Sequence, residues 1–112
     1  MPAEDLPAPI AAFIQATNAA DSAAFVAAFT PDAELNDWGR VFHGADGVAS
    51  WNRTDNIGVR SHFELLDWHR DGDEVVADLR VSGDGYNGTG PMRFTLRDGL
   101  IARLVIAPTP GS

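Results

Sequence analysis

The sequence of 112 residues contains no cysteine and no lysine, and all eight of its basic residues are arginine. Without cysteine, the chain has no thiol nucleophile, no thiolate metal ligand and no disulfide bond. Without lysine, it cannot form a Schiff base through a side-chain amine. These two absences remove several large classes of enzyme mechanism before any motif is considered.

Positive charge is also scarce, since the formal net charge is -8 at pH 7. A chain this acidic repels a phosphate backbone, so we expect no nucleic-acid partner. The sequence has no apolar run long enough to span a bilayer, and its start lacks the basic and apolar segments of a signal peptide. We therefore expect a cytoplasmic protein with no membrane partner.

Metal and cofactor motifs are missing as well. The three histidines do not occur at a paired, metal-ligand spacing, so we expect no metal site. The glycine-rich stretch "GDGYNGTG" at 83–90 lacks both the lysine and the following helix start of a phosphate-binding loop. We expect no cofactor.

What the chain does contain is enough apolar sequence, 45% of its residues, to form one small hydrophobic core. We expect a single domain over residues 1–107. The last five residues, 108–112, are rich in proline and glycine and are expected to form a disordered tail.

Helical signals open the sequence. Pro7 and Pro9 suit a helix entry, and apolar residues at helical spacing predict a first helix that ends near Ala19. Asp21 is a suitable N-cap for a second helix, and Pro31 prevents its continuation. A third, short helix is predicted from Ala45 to about Asn52.

Strand signals dominate the rest. One strand is predicted in "DAELND", and Gly39 permits a tight reversal into "RVF" at 40–42. From residue 59 onward, "VRSHFELLDWHR", "EVVADLRVS", "PMRFTLR" and "LIARLVIA" predict four strands of an antiparallel meander. The order of elements indicates an α+β domain with its helices first and its sheet afterwards.

One acidic residue occupies an unusual place in "DAELNDWGR" at 32–40. In a strand, Asp37 shares one face with the apolar Ala33 and Leu35, whereas Trp38 belongs to the other face. Asp37 could lie at the lip of a pocket, where partial desolvation would favour its neutral form and make it a base near neutral pH. In that arrangement we expect the carboxylate to face the pocket mouth, within reach of a ligand, rather than to lie buried in a salt bridge. Alternatively, "NDWG" is a solvated turn.

Two stretches sharpen this interpretation. "FIQATNAADSAAFVAAFTPDAELNDWG" and "VFHGADGVASW", with the later "FTLRDGLIARLVI", resemble the nuclear transport factor 2 superfamily, especially its polyketide-cyclase-like and ketosteroid-isomerase-like branches. The resemblance covers roughly residues 8–107. It implies a cone, in which a strongly bent, mostly antiparallel sheet wraps the N-terminal helices and leaves an apolar cavity.

The resemblance also implies a role for Asp37, because its position matches the catalytic base of the isomerase branch. The other isomerase groups do not carry over. The position of the branch's oxyanion-donating tyrosine corresponds to Phe13, and "PMRFTL" lacks the second donor, an acid. Loss of one such donor typically costs about 10²–10³ in rate, so steroid isomerisation by that mechanism is not expected.

Further candidates surround Asp37 in this interpretation. His43 is a candidate proton relay, and six residues are candidate ligand contacts: Phe13, Trp38, Trp51, His62, Tyr86 and Met92. We also expect Phe13, Trp51 and Met92 to be buried inside the cone. His62 and Glu64 should share a strand face with Leu66 and Trp68, and the sequence does not decide whether that face lines the cavity.

Three functions remain open at this point. The first is a cofactor-free isomerase, cyclase or dehydratase that acts on a small apolar carbonyl compound. The second is a module that binds a hydrophobic ligand without chemistry, and the third is a dimerisation domain. A homodimer through the outer face of the sheet is expected, because "LIARLVI" is apolar on both faces. One face carries Leu100, Ala102, Leu104 and Ile106, and the other carries Ile101 and Val105, interrupted by Arg103.

Overall fold

The computed structural model describes residues 6–85 and 87–106, and within them an α+β fold. Three α-helices are present: α1 (Ala8–Asn18), α2 (Ser22–Ala27) and α3 (Gly44–Asp55), the last followed by a 3₁₀ turn at Ile57–Val59. Six strands follow or intervene: β1 (Phe29–Asp37), β2 (Arg40–His43), β3 (His62–Asp71), β4 (Glu74–Ser82), β5 (Gly88–Arg97) and β6 (Leu100–Ile106).

The strands form one mixed sheet in the order β2-β1-β6-β5-β4-β3. All neighbouring pairs are antiparallel except β1 and β6, which run parallel with Leu35 opposite Leu104. The fold class predicted from the sequence is confirmed, including the meander from β3 to β6. The predicted boundary at residue 107 and the tail at 108–112 lie outside the described residues.

The helix starts follow their local sequence signals. Pro9 lies in the first turn of α1, where its missing N–H is no loss. Asp21 caps α2 as expected, and its side chain accepts a hydrogen bond of 3.1 Å from the backbone N–H of Ala24. Helix α2 ends at Ala27, before it reaches Pro31, and Phe29 already belongs to β1.

Helices and sheet meet in an aromatic core centred on α1. Phe13 is completely buried, and its ring lies 5.2–6.1 Å from the rings of Phe25, Phe29, Phe63 and Phe94. The expected burial of Phe13, Trp51 and Met92 is confirmed. This core attaches the helices to the inner face of the sheet and so determines where a cavity can remain.

Irregular strand pairing overturns two face assignments made from the sequence. The register between β3 and β4 shifts between Leu65 and Asp67, so Trp68 turns to the core while His62 remains exposed. The extra residue of a bulge exchanges the faces beyond it. The predicted common face of His62 and Trp68 is therefore wrong.

The second irregularity lies between β5 and β6, where the register shifts between Thr95 and Leu96. Ile101 and Leu104 are both completely buried as a result, although they were assigned to opposite faces. The alternation predicted for β6 is wrong at Ile101. Less apolar surface is thus left for a partner than the sequence suggested.

Candidate ligand-binding site

A cavity of about 430 Å³ lies between α3 and the inner face of the sheet. Its apolar wall comes from α3, the following 3₁₀ turn and four strands, through Trp51, Val59, Phe63, Val81, Met92 and Ile106. Its volume falls within the range of about 300–1,000 Å³ that is typical of small-molecule sites. The space is large enough for an organic ligand of a few rings.

The mouth of the cavity is formed by the turn between β1 and β2. Trp38 and Gly39 both have positive φ angles, 53° and 93°, as a two-residue hairpin of this kind requires. The Trp38 side chain lines the cavity although it is 60% exposed, and its backbone N–H donates to the carbonyl oxygen of Ile106 at 2.9 Å. This hydrogen bond ties the turn to β6 and positions the indole at the mouth.

Asp37 lies on the cavity wall beside that turn, with its side chain 17% exposed. One carboxylate oxygen accepts hydrogen bonds from Trp51 Nε1 at 3.0 Å and from the Arg40 guanidinium at 2.7 Å. The expectation of a carboxylate outside any salt bridge is wrong. Asp37 belongs to strand β1 and borders the cavity, but a cation and an indole N–H already engage it.

Arg40 joins a second carboxylate to the same cluster. Its guanidinium also donates to Asp55 at 3.1 Å, and Asp55 accepts a further hydrogen bond of 2.7 Å from the Thr54 hydroxyl. The hydrogen bond to Asp37, followed by that to Asp55, raises the pKa of Arg40 above its ordinary value. The two carboxylates and the guanidinium form the charged rim of the cavity mouth, which has a formal charge of -1.

Ser61, which is 7% exposed, is one polar residue of the buried cavity wall, and Asn56, which is 1% exposed, is another. Its amide group donates to Thr17 Oγ1 at 3.0 Å and to Asn52 Oδ1 at 3.1 Å, and both partners are also buried. The Asn56 side-chain oxygen has no hydrogen-bond donor. The cavity therefore combines a charged mouth with a wall that is apolar apart from a few neutral polar residues.

Sequence reasoning missed Arg40, Asp55 and Asn56. The spacing of four residues between Trp51 and Asp55, and between Asn52 and Asn56, would have placed each pair on one side of a helix. No local signal indicated that the hairpin would bring Arg40 across to α3. Their common location depends on how α3 packs against β1.

Three of the predicted ligand contacts, Trp38, Trp51 and Met92, line the cavity. Phe13 does not line it and lies in the aromatic core instead. Tyr86 lies outside the described residues.

The two histidines of the predicted site lie apart from the cavity. His43 is 73% exposed at the end of β2, and its Nδ1 is 4.0 Å from Glu34 Oε1. His62 is exposed at the start of β3, on the face opposite to the buried Phe63 that lines the cavity. Neither histidine belongs to the cavity lining.

Within residues 6–85 and 87–106, no group of three or more acidic or histidine side chains is placed to hold a metal ion. None of the helices in that part of the chain has the length and hydrophobicity needed to cross a membrane.

The fold and cavity define a small α+β cone of the nuclear transport factor 2-like class. The family model of the SnoaL-like domain, a description of the sequences in that family, matches residues 10–104, and the chain belongs to this family. No functionally curated protein is significantly similar to it in sequence.

Solved structures extend the comparison. A putative polyketide cyclase from Sinorhizobium meliloti is 30% identical, with a TM-score of 0.84 over 94% of this chain and 98% of that one. A Mycobacterium tuberculosis protein in complex with estradiol-17β-hemisuccinate is 16% identical, with a TM-score of 0.76 over 87% and 88% of the two chains. The Δ5-3-ketosteroid isomerase from a Mycobacterium species is 17% identical, with a TM-score of 0.74 over 88% of each chain. The last two likenesses concern the fold alone.

Proposed function

We propose that this protein binds a small, largely apolar and uncharged organic molecule in the cavity between α3 and the sheet. The observation that carries the proposal is the cavity itself, about 430 Å³ with an apolar wall and an aromatic mouth. A wall of this kind gains free energy by removing apolar ligand surface from water. The complex of the M. tuberculosis protein with a steroid derivative supports the same use of a similar fold.

The charges at the mouth favour a neutral ligand over an anion. Asp37 and Asp55 outnumber Arg40, and the whole chain carries a net charge of -8. An anion in the mouth would also have to compete with two carboxylates for the same guanidinium. We therefore expect 2-naphthol to bind more tightly than 2-naphthoate, which has the same rings and a negative charge.

The position of Gly90 allows a direct test of the cavity. It lines the cavity on β5 opposite Leu79, and a Cβ added there meets no atom within 4 Å. Gly90→Leu should fill the cavity and abolish binding of 2-naphthol in isothermal titration calorimetry. Thr95→Leu, on the outer face of the same strand, is the matched control and should retain binding. Equal binding by both variants would place the ligand elsewhere.

A second candidate function is catalysis by Asp37 on a ligand of this kind. Its carboxylate borders the cavity at the position that the resemblance assigns to an isomerase base. A cofactor-free isomerase, cyclase or dehydratase acting on a small apolar carbonyl compound would use it to abstract a proton next to the carbonyl. For Asp37 to accept this proton, its ion pair with Arg40 would have to open on substrate binding, or Arg40 would have to stay paired with Asp37 beside the bound substrate.

The test of this second function is deuterium exchange into 2-tetralone in heavy water, followed by proton NMR. A catalytic Asp37 predicts exchange by the wild type and none by Asp37→Asn, which preserves the shape of the side chain. His43→Gln tests the predicted proton relay in the same assay. No enhancement of exchange over buffer would leave ligand binding as the function.

The predicted homodimer remains a prediction. On the outer face, Arg80 pairs with Glu64 at 3.0 Å and Arg93 pairs with Asp71 at 2.9 Å. A partner seated on this face would contact charged groups as well as the apolar residues of β6. Sedimentation velocity at micromolar concentration should show a dimer, and a monomer alone would contradict the prediction.

A further inference from the structure

Trp38, in the turn between β1 and β2, combines two features that are unfavourable for folding. Its φ angle is 53°, in the left-handed region that a bulky residue rarely adopts because its Cβ crowds the backbone. It is also 60% exposed, which leaves a large apolar ring in water. A hairpin turn with a positive φ at both central positions favours asparagine or glycine at the first of them. The turn therefore does not explain why this residue is a tryptophan.

The packing of the fold does not explain it either. Within residues 6–85 and 87–106, the Trp38 side chain has no hydrogen-bond partner and does not belong to the hydrophobic core. Its bond to the carbonyl oxygen of Ile106 uses the backbone N–H, which asparagine would also supply. Trp51 and Trp68 differ in this respect, since both are buried in the core at 4% and 2% exposure.

The position of Trp38 at the cavity mouth accounts for its chemistry. A single exposed aromatic residue is common on protein surfaces, but this one also lines the cavity, and the bond to Ile106 fixes its turn there. A ligand that fills the cavity has its outer end beside the indole. Two aromatic rings attract each other in offset-stacked or edge-to-face contact, beyond the gain from covering apolar surface.

We propose that the Trp38 indole packs against an aromatic ring at the outer end of the ligand, and so selects planar aromatic molecules among the apolar ones that fit the cavity. This selection rests on the proposed ligand-binding function. A saturated ring of the same size is puckered, so it covers less of the indole and has no π system to pair with it. The strained turn position is thus occupied by tryptophan for the ligand rather than for the fold.

A matched pair of probes isolates the aromatic contact. 2-Naphthol and trans-decahydro-2-naphthol share their carbon skeleton and hydroxyl group, are both uncharged at pH 7, and differ in aromaticity. In titration calorimetry, Trp38→Asn should lower the affinity for 2-naphthol about 3- to 10-fold, the range expected for one aromatic pair, and that for the saturated alcohol about 2-fold or less. An unchanged affinity for 2-naphthol, or an equal loss for both probes, would overturn the selection of planar rings.

Thermal unfolding shows whether Trp38→Asn keeps its fold. The substitution places Asn-Gly, the preferred dipeptide, at the centre of this turn. The unfolding midpoint should therefore equal or exceed that of the wild type, so that weaker binding cannot result from unfolding. A lower midpoint would show that the indole supports the fold and would contradict our explanation of its position.

Val41→Thr is the matched control on the same hairpin. Val41 is 46% exposed and does not line the cavity, and threonine keeps the branched side chain that suits a strand. Both affinities should remain at their wild-type values. A loss equal to that of Trp38→Asn would assign the effect to the hairpin as a whole and refute the role of the indole.

Proton NMR of the wild type makes the test independent of any variant. The indole ring resonances of Trp38 should move upfield on addition of 2-naphthol, because a stacked aromatic ring shields them, and should move less with the saturated alcohol. Binding of both probes without this difference would refute the role of Trp38 and leave the cavity function standing. Failure of both probes to bind would overturn the two proposals together.

Discussion

Replacement of Phe13 by alanine is expected to remove the centre of the core while leaving the cavity wall in place. The Phe13 side chain is completely buried, and four phenylalanine rings surround it at 5.2–6.1 Å. Truncation of a buried phenylalanine costs about 3–5 kcal/mol, and the loss of several aromatic pairs places this site near the upper limit. A domain of this size has about 5–15 kcal/mol of stability, so the variant should fold but only marginally.

Urea unfolding, followed by tryptophan fluorescence, measures this free energy. Phe42→Ala is the matched control, because Phe42 on β2 is only partly buried and its truncation should cost less than about 2 kcal/mol. At low temperature and without urea, Phe13→Ala should still bind 2-naphthol, since Phe13 does not line the cavity. If Phe13→Ala lowered the free energy of unfolding by less than about 1.5 kcal/mol, the role of the Phe13 ring as the centre of the core would be refuted. If a folded Phe13→Ala variant no longer bound 2-naphthol, Phe13 would be a ligand-binding residue.

Two further predictions concern an ion pair between β1 and β5 and the segment that follows α3. The Arg97 side chain donates a hydrogen bond to Asp32 and so lowers the pKa of the Asp32 carboxyl below its ordinary value. The resulting stabilisation of the folded protein is present at neutral pH and disappears as the pH falls below about 4. Arg97→Gln should therefore weaken the acid dependence of urea unfolding, and an unchanged pH profile would contradict this. Gly58→Ala would place a Cβ 1.4 Å from the carbonyl oxygen of Arg53 and should destabilise the fold by about 1–3 kcal/mol or more, whereas Gly90→Ala meets no atom and should not. Equal midpoints for the two alanine variants in thermal unfolding would disprove the close approach.

The sequence alone was sufficient for features that depend on neighbouring residues. The cap at Asp21 and the turn at Trp38 and Gly39 follow from local rules: a side chain that reaches its own backbone, and a positive φ. Each of these interactions joins residues that are close together in the sequence. They do not depend on how distant elements pack.

The bulges in β3 and β6 illustrate what local rules cannot provide. One additional residue in a strand reverses every face assignment after it, and its position depends on the partner strand. Consequently, Trp68 and Ile101 point to the core against the alternation of their own strands. Pairing across the sheet decided these two positions.

The site divides in the same way. From the position of Asp37 at the end of the first strand and from a family resemblance, the sequence offered a pocket or a solvated turn as its place, and the apolar pattern predicted that Trp51 and Met92 are buried. Only the tertiary structure brought Arg40 between two carboxylates and left the Asn56 oxygen without a donor. Such contacts join residues from separate elements at distances of about 3 Å, and the packing of α3 against the sheet determines them rather than the preference of any single segment.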